Sequence, residues 1–436
     1  MLAYDDVLER LVATVESHVA MTALEEVVVV RDLHGRVRLV LHGSETPEHR
    51  SSLDQALKSA LGAWHGGSPL STSDPDAKSL AHVVRQKAEP WPPHWPADYD
   101  DDLGGRRPIV PGKWNHIQRV LAKESWLDTS PGAPPWPLHP KTPTVVTFYS
   151  FKGGVGRSTA LGILAWRLAA PSPDGSPGKR VVAIDLDLEA PGLQGLFGVA
   201  ADSVERGVLD WLLESAIAPG AQQVTGLSSF AKTVTVARRS VTVIPAGRTT
   251  GASYLEKLAR LDYHATASAG ASPVKAGLER LLEQVKSELN PDYILLDARA
   301  GFHDLGGLSL TSLAHINVVV ARHAAATEPG LRLTLEMLGH RRAVRDQLLV
   351  VAQAFAAPAV PSEDPDPRDR RAFRELVQEI LPTAATPVAL EENPQIARAF
   401  ALSDIPPAVL EAAAGYDLLL ERLETLAEPT PSEASA

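Results

Sequence analysis

Six short runs in the chain are almost wholly apolar: TVVTFYSF, RVVAIDLDL, SVTVIPAG, DYILLDA, INVVVAR and LLVVAQAF. Longer stretches with helical periodicity separate them. A strand that is apolar on both faces must be covered on both, which is the condition of a parallel sheet with crossover helices. The pattern predicts a doubly wound α/β domain, in which ligands bind at the carboxyl ends of the strands. VERGVLDWLLESAI, SPVKAGLERLLEQVKSEL and GYDLLLERLETLA have the spacing of amphipathic helices between and after those strands.

The composition changes near residue 142. Six of the eight tryptophans precede it (Trp64, Trp91, Trp95, Trp114, Trp126 and Trp136), as do the densest proline stretches. Residues 1–129 are expected to form an N-terminal α+β module. It would have a helix over Tyr4–Val19, a hairpin turning at Asp32-Leu33-His34-Gly35, and a helix near Ser51–Leu61. Residues 130–143, SPGAPPWPLHPKTP, read as a linker or an extended strap, 144–427 as the α/β domain, and 428–436 as a disordered tail. The acidic run Asp100–Asp102 reads as a solvated loop in preference to a metal site, because no further carboxylate or histidine is spaced to complete one.

The bulk numbers exclude some functions. The 436 residues carry no cysteine, so disulfides, thiolate metal sites, iron–sulfur clusters and cysteine nucleophiles are out. A net charge of -11 argues against a general electrostatic nucleic-acid binder. The acidic N-terminus lacks the basic start and apolar core of a signal peptide. No run approaches the ~18 apolar residues of a membrane span. The expected location is cytoplasmic, with no membrane contact.

Between the first apolar run and the helix after it stands Lys152-Gly153-Gly154-Val155-Gly156-Arg157-Ser158-Thr159. Glycines let the backbone curl so that its N–H groups face an anion, and the helix N-terminus adds partial positive charge. Ser158 stands where a hydroxyl can reach Mg²⁺. The general phosphate-loop pattern G-x-x-x-x-G-K-[ST] is broken twice, by Phe151 at the first glycine and Arg157 at the lysine.

K-G-G-x-G-K-[ST] fits better, and on it the chain resembles the ParA/MinD family of P-loop ATPases, in a branch whose loop reads K-G-G-V-G-R-[ST]. RVVAIDLDLEAPGL places Asp185 and Asp187 as that family's D-x-D. DYILLDARAG resembles its Walker B strand and ends at Asp297, and VTVIPAG resembles another family strand. The likeness spans about Thr142 to Leu426 and leaves the first 140 residues unmatched.

The resemblance implies a P-loop NTPase domain that binds ATP and Mg²⁺ in an ATP-dependent homodimer. Residues 152–159 would hold the nucleotide and Ser158 the metal. Asp185 and Asp297 would order the metal's waters, or cap turns if each is taken alone. By the same resemblance Asp187 would orient the attacking water, and Lys152 would reach the partner's phosphates in trans. Glu189 is a second candidate for the water.

Arginine is a planar fork suited to phosphate but bulkier than lysine. ATP binding is therefore expected to survive at Arg157 and hydrolysis to be slow, or absent in a switch that only holds nucleotide. Arg299 stands where the family has proline, and pairing with a nearby carboxylate is favoured for it over a role at the γ-phosphate. No guanine signature N-K-x-D is present, and Gln353 and Ala354 are positional candidates beside the adenine.

The tail has no tyrosines, unlike the tyrosine kinases of this fold, and the last helix is acidic, unlike the membrane-binding end of MinD. Arg341, Arg342, Arg345, Arg368, Arg370, Arg371 and Arg374 could form a DNA-binding face, as in partition proteins, but solvated helix faces with internal ion pairs are preferred. Relatives of this loop type accompany effectors in bacterial conflict and defence systems, which suggests a regulatory role. Exposed tryptophans and prolines in the N-terminal part would suit an unidentified protein partner; strapping onto the ATPase domain is the other reading.

Overall fold

The computed structural model describes the chain apart from residues 1, 45, 73, 76, 92–94, 96, 101–105, 110–111, 119–122, 128–132, 172–174, 201–202, 218–225, 250–251, 262–271, 346–347, 361–362, 365, 383 and 429–436. The expected tail thus lies almost wholly outside the described residues, as do Asp101 and Asp102 of the acidic run. Two compact units divide the chain, Met1–Leu121 and Ala122–Ala436.

In the first unit, β1 (Leu24–Arg31) and β2 (Val37–Gly43) form the expected hairpin, with Gly35 at φ +84° in its turn. With β3 (Leu70–Ser71), β4 (Glu89–Pro90) and β7 (Trp114–Gln118) they make a sheet of order β3-β2-β1-β7-β4, and β5 (Asp98–Asp100) pairs with β6 (Arg106–Pro108). Helices Val7–His18 and Pro47–Leu61 cover one face. The second helix starts earlier than its apolar spacing suggested, because Thr46 caps it and Pro47 fits the first turn. Helix Lys78–Lys87 lies on the other face, with Ala81 against Val28 and Val40.

The tryptophans are not exposed. Trp95, Trp114, Trp126 and Trp136 are buried and so offer no exposed aromatic partner surface, and Trp64 and Trp91 are half-buried.

The second unit is built on an eight-stranded sheet, β10-β11-β9-β12-β8-β13-β14-β15. Its strands are β8 (Thr144–Tyr149), β9 (Val181–Asp185), β10 (Lys232–Val236), β11 (Arg239–Ile244), β12 (Tyr293–Asp297), β13 (Ile316–Ala321), β14 (Leu348–Ala356) and β15 (Val388–Glu391). Every pairing is parallel except β10 with β11. This is the doubly wound α/β fold that the six apolar runs demand, and each run supplies one strand.

Alternate residues of each strand feed separate cores. Val146, Phe148, Ala183 and Leu295 meet helices Arg157–Leu168 and Tyr416–Ala427. Val145, Val182, Ile184 and Leu296 meet Val208–Ile217 and Pro273–Leu289. Helix Arg157–Leu168 is buried almost all round, which explains its weak amphipathicity.

The division between units falls at 121/122, not at 129/130. The short helix Glu124–Leu127 packs on the second unit against helix Asp304–Leu308. Lys123 Nζ lies 3.1 Å from Asp304, and the Trp126 indole N–H donates to the His303 carbonyl at 2.8 Å. The Trp126 ring packs edge-on to Phe302 at 5.1 Å and tilted against Tyr149 at 5.5 Å. Gly307 has no side chain because a Cβ there would lie 2.3 Å from Ser125 Oγ. Further on, Trp136 donates to the Pro143 carbonyl and sits under the Lys286 ammonium. The described part of 130–143 is thus a strap on the α/β domain.

Candidate functional site

The site lies at the carboxyl ends of β8, β9 and β12. β8 delivers the chain into residues 150–156, which curl into the helix starting at Arg157. Gly154 and Gly156 hold φ of +73° and +81°, and Gly156 is the helix N-cap. Side chains other than glycine pay about 1–2 kcal/mol there. Phe151 stands where the first glycine of a common phosphate loop would be. Its ring packs against Phe302 at 5.2 Å and fills the space over Gly330, where a Cβ would lie 2.1 Å from it. Lys152 is exposed and makes no ion pair among the described residues; its ammonium stands 5.7 Å from the Phe151 ring centre.

The parallel register sets Asp297 of β12 directly beside Asp185 of β9, and both residues are fully buried. Their partners differ. The Asp185 carboxylate accepts from the backbone N–H of Asp187 (3.1 Å), Gly192 (3.0 Å) and Leu193 (3.0 Å), and so organises the loop after β9. Asp297 accepts from Ser158 Oγ at 2.6 Å on one oxygen and from Arg157 Nε at 2.6 Å on the other.

Arg157 therefore points into the site's carboxylates. Its Nη2 donates to Asp187 at 3.0 Å. Asp187 also accepts from Arg299 Nη1 at 2.7 Å and from the Ala190 N–H at 3.2 Å. The other Arg299 nitrogen donates to Glu189 at 2.9 Å, and Glu189 pairs with His303 Nε2 at 3.0 Å. The result is a continuous chain in which charge alternates through Asp297, Arg157, Asp187, Arg299 and Glu189, with the His303 ring as the last hydrogen-bond partner.

Burial pushes the Asp185 carboxyl up to about 8, with the neighbouring Asp297 charge adding to it and the three N–H bonds opposing. Burial also raises Asp297, against the pull of Arg157 and the Ser158 hydroxyl. At Arg157 burial works against the charge, and Asp297 and Asp187 outweigh it, so the guanidinium is held above its ordinary range.

Beside the loop, Gly154, Gly156, Thr159, Ala354, Phe355 and Asn393 help line a cavity of about 330 Å³. Phe355 has φ +53°, beside an irregularity in the β14–β15 pairing that turns its ring to the loop. A non-glycine residue in this region carries backbone strain. Of the two positional candidates for the adenine, Ala354 lines the cavity. Gln353 is buried elsewhere and donates to Asp369 at 2.9 Å. Phe355 and Asn393 carried no sequence signal, since neither lies in a motif.

Three arginines of the cluster are engaged within the chain, while Arg368 and Arg371 are exposed. Arg370 donates to the Ala357 carbonyl at 2.7 Å, Arg371 pairs with Asp364 at 3.3 Å and Arg374 with Asp366 at 2.8 Å. The side chains of Arg341, Arg342 and Arg345 lie outside the described residues. Among the described residues no group of three or more His, Cys, Asp or Glu is placed to hold a metal, and no helix is long and apolar enough to cross a membrane.

A glycine loop at a helix N-terminus, with a hydroxyl bonded to a strand-end aspartate, defines the second unit as an α/β domain of the phosphate-loop type. Its loop and strand-end motifs resemble those of ParA/MinD ATPases. No protein-family profile and no curated protein matches the chain. Solved structures similar to it include a putative plasmid partition protein from Borrelia burgdorferi bound to AMPPNP, at 17% identity, covering 65% of this chain and 99% of that one, with a TM-score of 0.43. McdA from Cyanothece in complex with ATP gives 17% identity, 66% and 95% coverage and 0.44. The MinC:MinD cell division complex of Aquifex aeolicus gives 18%, 66%, 97% and 0.41. Likeness at this level fixes neither ligand nor activity for this chain.

Proposed function

We propose that the protein binds Mg·ATP through residues 152–159 and works as a slowly hydrolysing, ATP-dependent dimer switch. The observation that carries this reading is the loop itself. Its two left-handed glycines lead into a helix N-terminus, and the next hydroxyl, Ser158, is 2.6 Å from the buried strand-end Asp297. Such an N-terminus favours phosphate. The adjoining cavity is placed to take the base, with Phe355 against it.

The donor set fits magnesium: one hydroxyl and one carboxylate, the sparse oxygen set this ion takes beside waters and phosphates. Ser158 would be the direct ligand and Asp297 would act through water. Asp185, with its oxygens engaged by three N–H groups, shapes the loop that carries Asp187. Magnesium, when bound, neutralises phosphate charge. Asp187 orients the attacking water, and Lys152, exposed and without an ion pair among the described residues, is a cation available to a partner copy's phosphates.

A second reading, nucleotide binding without turnover, is favoured by one observation. Arg157 is engaged by Asp297 and Asp187 together, so serving the phosphates means breaking those bonds. In either reading residues 1–121, a compact unit of their own, are the place for an unidentified protein partner and a regulatory role. Nonspecific DNA binding is disfavoured by the ion pairs of Arg371 and Arg374.

The test is binding of a fluorescent ATP analogue with magnesium, together with phosphate release across protein concentrations. Binding lost in Ser158→Ala supports the site. Specific activity that rises with concentration and vanishes in Lys152→Ala supports the dimeric ATPase. Binding with no turnover at any concentration leaves the switch without hydrolysis. A chain that binds no nucleotide sinks both.

A further inference from the structure

Asp187 is held on both sides by arginines. One oxygen takes Nη2 of Arg157, and the other takes Nη1 of Arg299 with the Ala190 N–H. Its side chain is 7% exposed and that of Arg157 9%. A buried carboxylate stripped of its counter-charge is costly. Arg157 can therefore leave Asp187 only if another cation stays behind.

Arg299 is that cation. It is itself steadied by Glu189 at 2.9 Å, and Glu189 by His303 at 3.0 Å. The segment carrying Arg299 and His303 is anchored in turn by Trp126 and Lys123. Asp297 keeps the Ser158 hydroxyl, and a magnesium ion held at Ser158 would supply the counter-charge that Arg157 gives up.

Resting on the nucleotide-binding reading, we propose that Arg299 is a positioning residue that frees Arg157 for the phosphates. It keeps Asp187 neutralised and oriented while the loop arginine changes partners from carboxylate to phosphate. An arginine at the loop's cation position and an arginine after the β12 aspartate are then two parts of one device. The first costs the site a buried ion pair when nucleotide arrives, and the second keeps that cost small. Without Arg299, Asp187 would hold Arg157 more tightly, and the loop would lose its cation.

The test is a set of variants read by equilibrium binding of a fluorescent ATP analogue with magnesium, using the full chain. Arg299→Ala is expected to weaken binding about tenfold, the size of one charge-assisted hydrogen bond. Asp187→Asn on top of Arg299→Ala is expected to restore it, because the carboxylate that traps Arg157 is gone. Arg299→Lys should recover part of the loss. A merely structural role for Arg299 predicts no rescue by Asp187→Asn. Unchanged affinity in Arg299→Ala, or a loss that Asp187→Asn does not repair, overturns the proposal while the nucleotide site stands. A wild-type chain that binds no ATP analogue overturns the functional reading, and this proposal with it.

Discussion

Replacing Arg157 by lysine restores the residue most phosphate loops carry, and here it should destabilise the fold. The guanidinium spans two carboxylates, with Nε 2.6 Å from Asp297 and Nη2 3.0 Å from Asp187. An ammonium keeps the charge but is a point, and cannot reproduce the fork. The loss is one charge-assisted hydrogen bond, about 1.5–3 kcal/mol. It should fall at the low end of that range, because Asp187 keeps Arg299 at 2.7 Å. Arg157→Ala removes both bonds and the charge, and should cost about 3–5 kcal/mol, as breaking a buried pair does. Hydrogen exchange of the amides in Tyr293–Asp297 reads this locally, since β12 carries Asp297. The expected order of protection is wild type, then Arg157→Lys, then Arg157→Ala. Equal protection in all three would refute the claim that Arg157 is tied into the carboxylates. An alanine variant no worse than the lysine variant would refute the weight given to charge.

Three further outcomes are expected. Trp126→Ala should destabilise the second unit by about 3–5 kcal/mol, as loss of a large buried ring does, and denaturant titration followed at helix Asp304–Leu308 would measure it. Gly156→Ala should cost about 1–2 kcal/mol through backbone strain alone, because the new Cβ would meet nothing nearer than Phe355 at 3.9 Å; a clash-sized loss would contradict this. Asp185 has a folded pKa raised to about 8 from 3.8, so the folded state holds its proton between those values while the unfolded state releases it. Stability should then fall as pH rises from about 4 to about 8, and Asp185→Asn should flatten that decline in urea titrations at pH 5 and pH 8.

The six strands with continuous apolar runs were legible because burial on both faces leaves a plain mark in sequence. β10 and β15 were not. β10 is a half-exposed edge strand, KTVTV, that joins β11 through a turn at Ala237 and Arg238, both at positive φ without a glycine or asparagine to signal it. β15 is four residues of alternating burial at the opposite edge. The glycine loop, the helix after it and the aspartates at two strand ends were readable from local spacing. Their pairing was not, since Arg157 meets Asp297 across 140 residues of chain and Asp187 across 30. Sequence reading set Arg157 toward phosphate and left Arg299 to a carboxylate. The structure gives both arginines to Asp187, because the loops after β9 and β12 converge beside the loop after β8. Spacing also could not tell that Asp185 turns to three backbone N–H groups while its neighbour in register turns to side chains.

The packing of Trp126 and Trp136 on the second unit alters what counts as a separable part of this chain. Proline-rich composition invites a cut near residue 130, yet that cut would remove Trp126 from beneath Phe302 and Tyr149 and uncover an aromatic surface. A recombination event that exchanged the N-terminal unit for another would keep the α/β domain intact only if it fell at or before residue 121. Chains that share this α/β domain but differ upstream should therefore retain a tryptophan-bearing turn ahead of the first phosphate-loop strand, as the heritable border of the module.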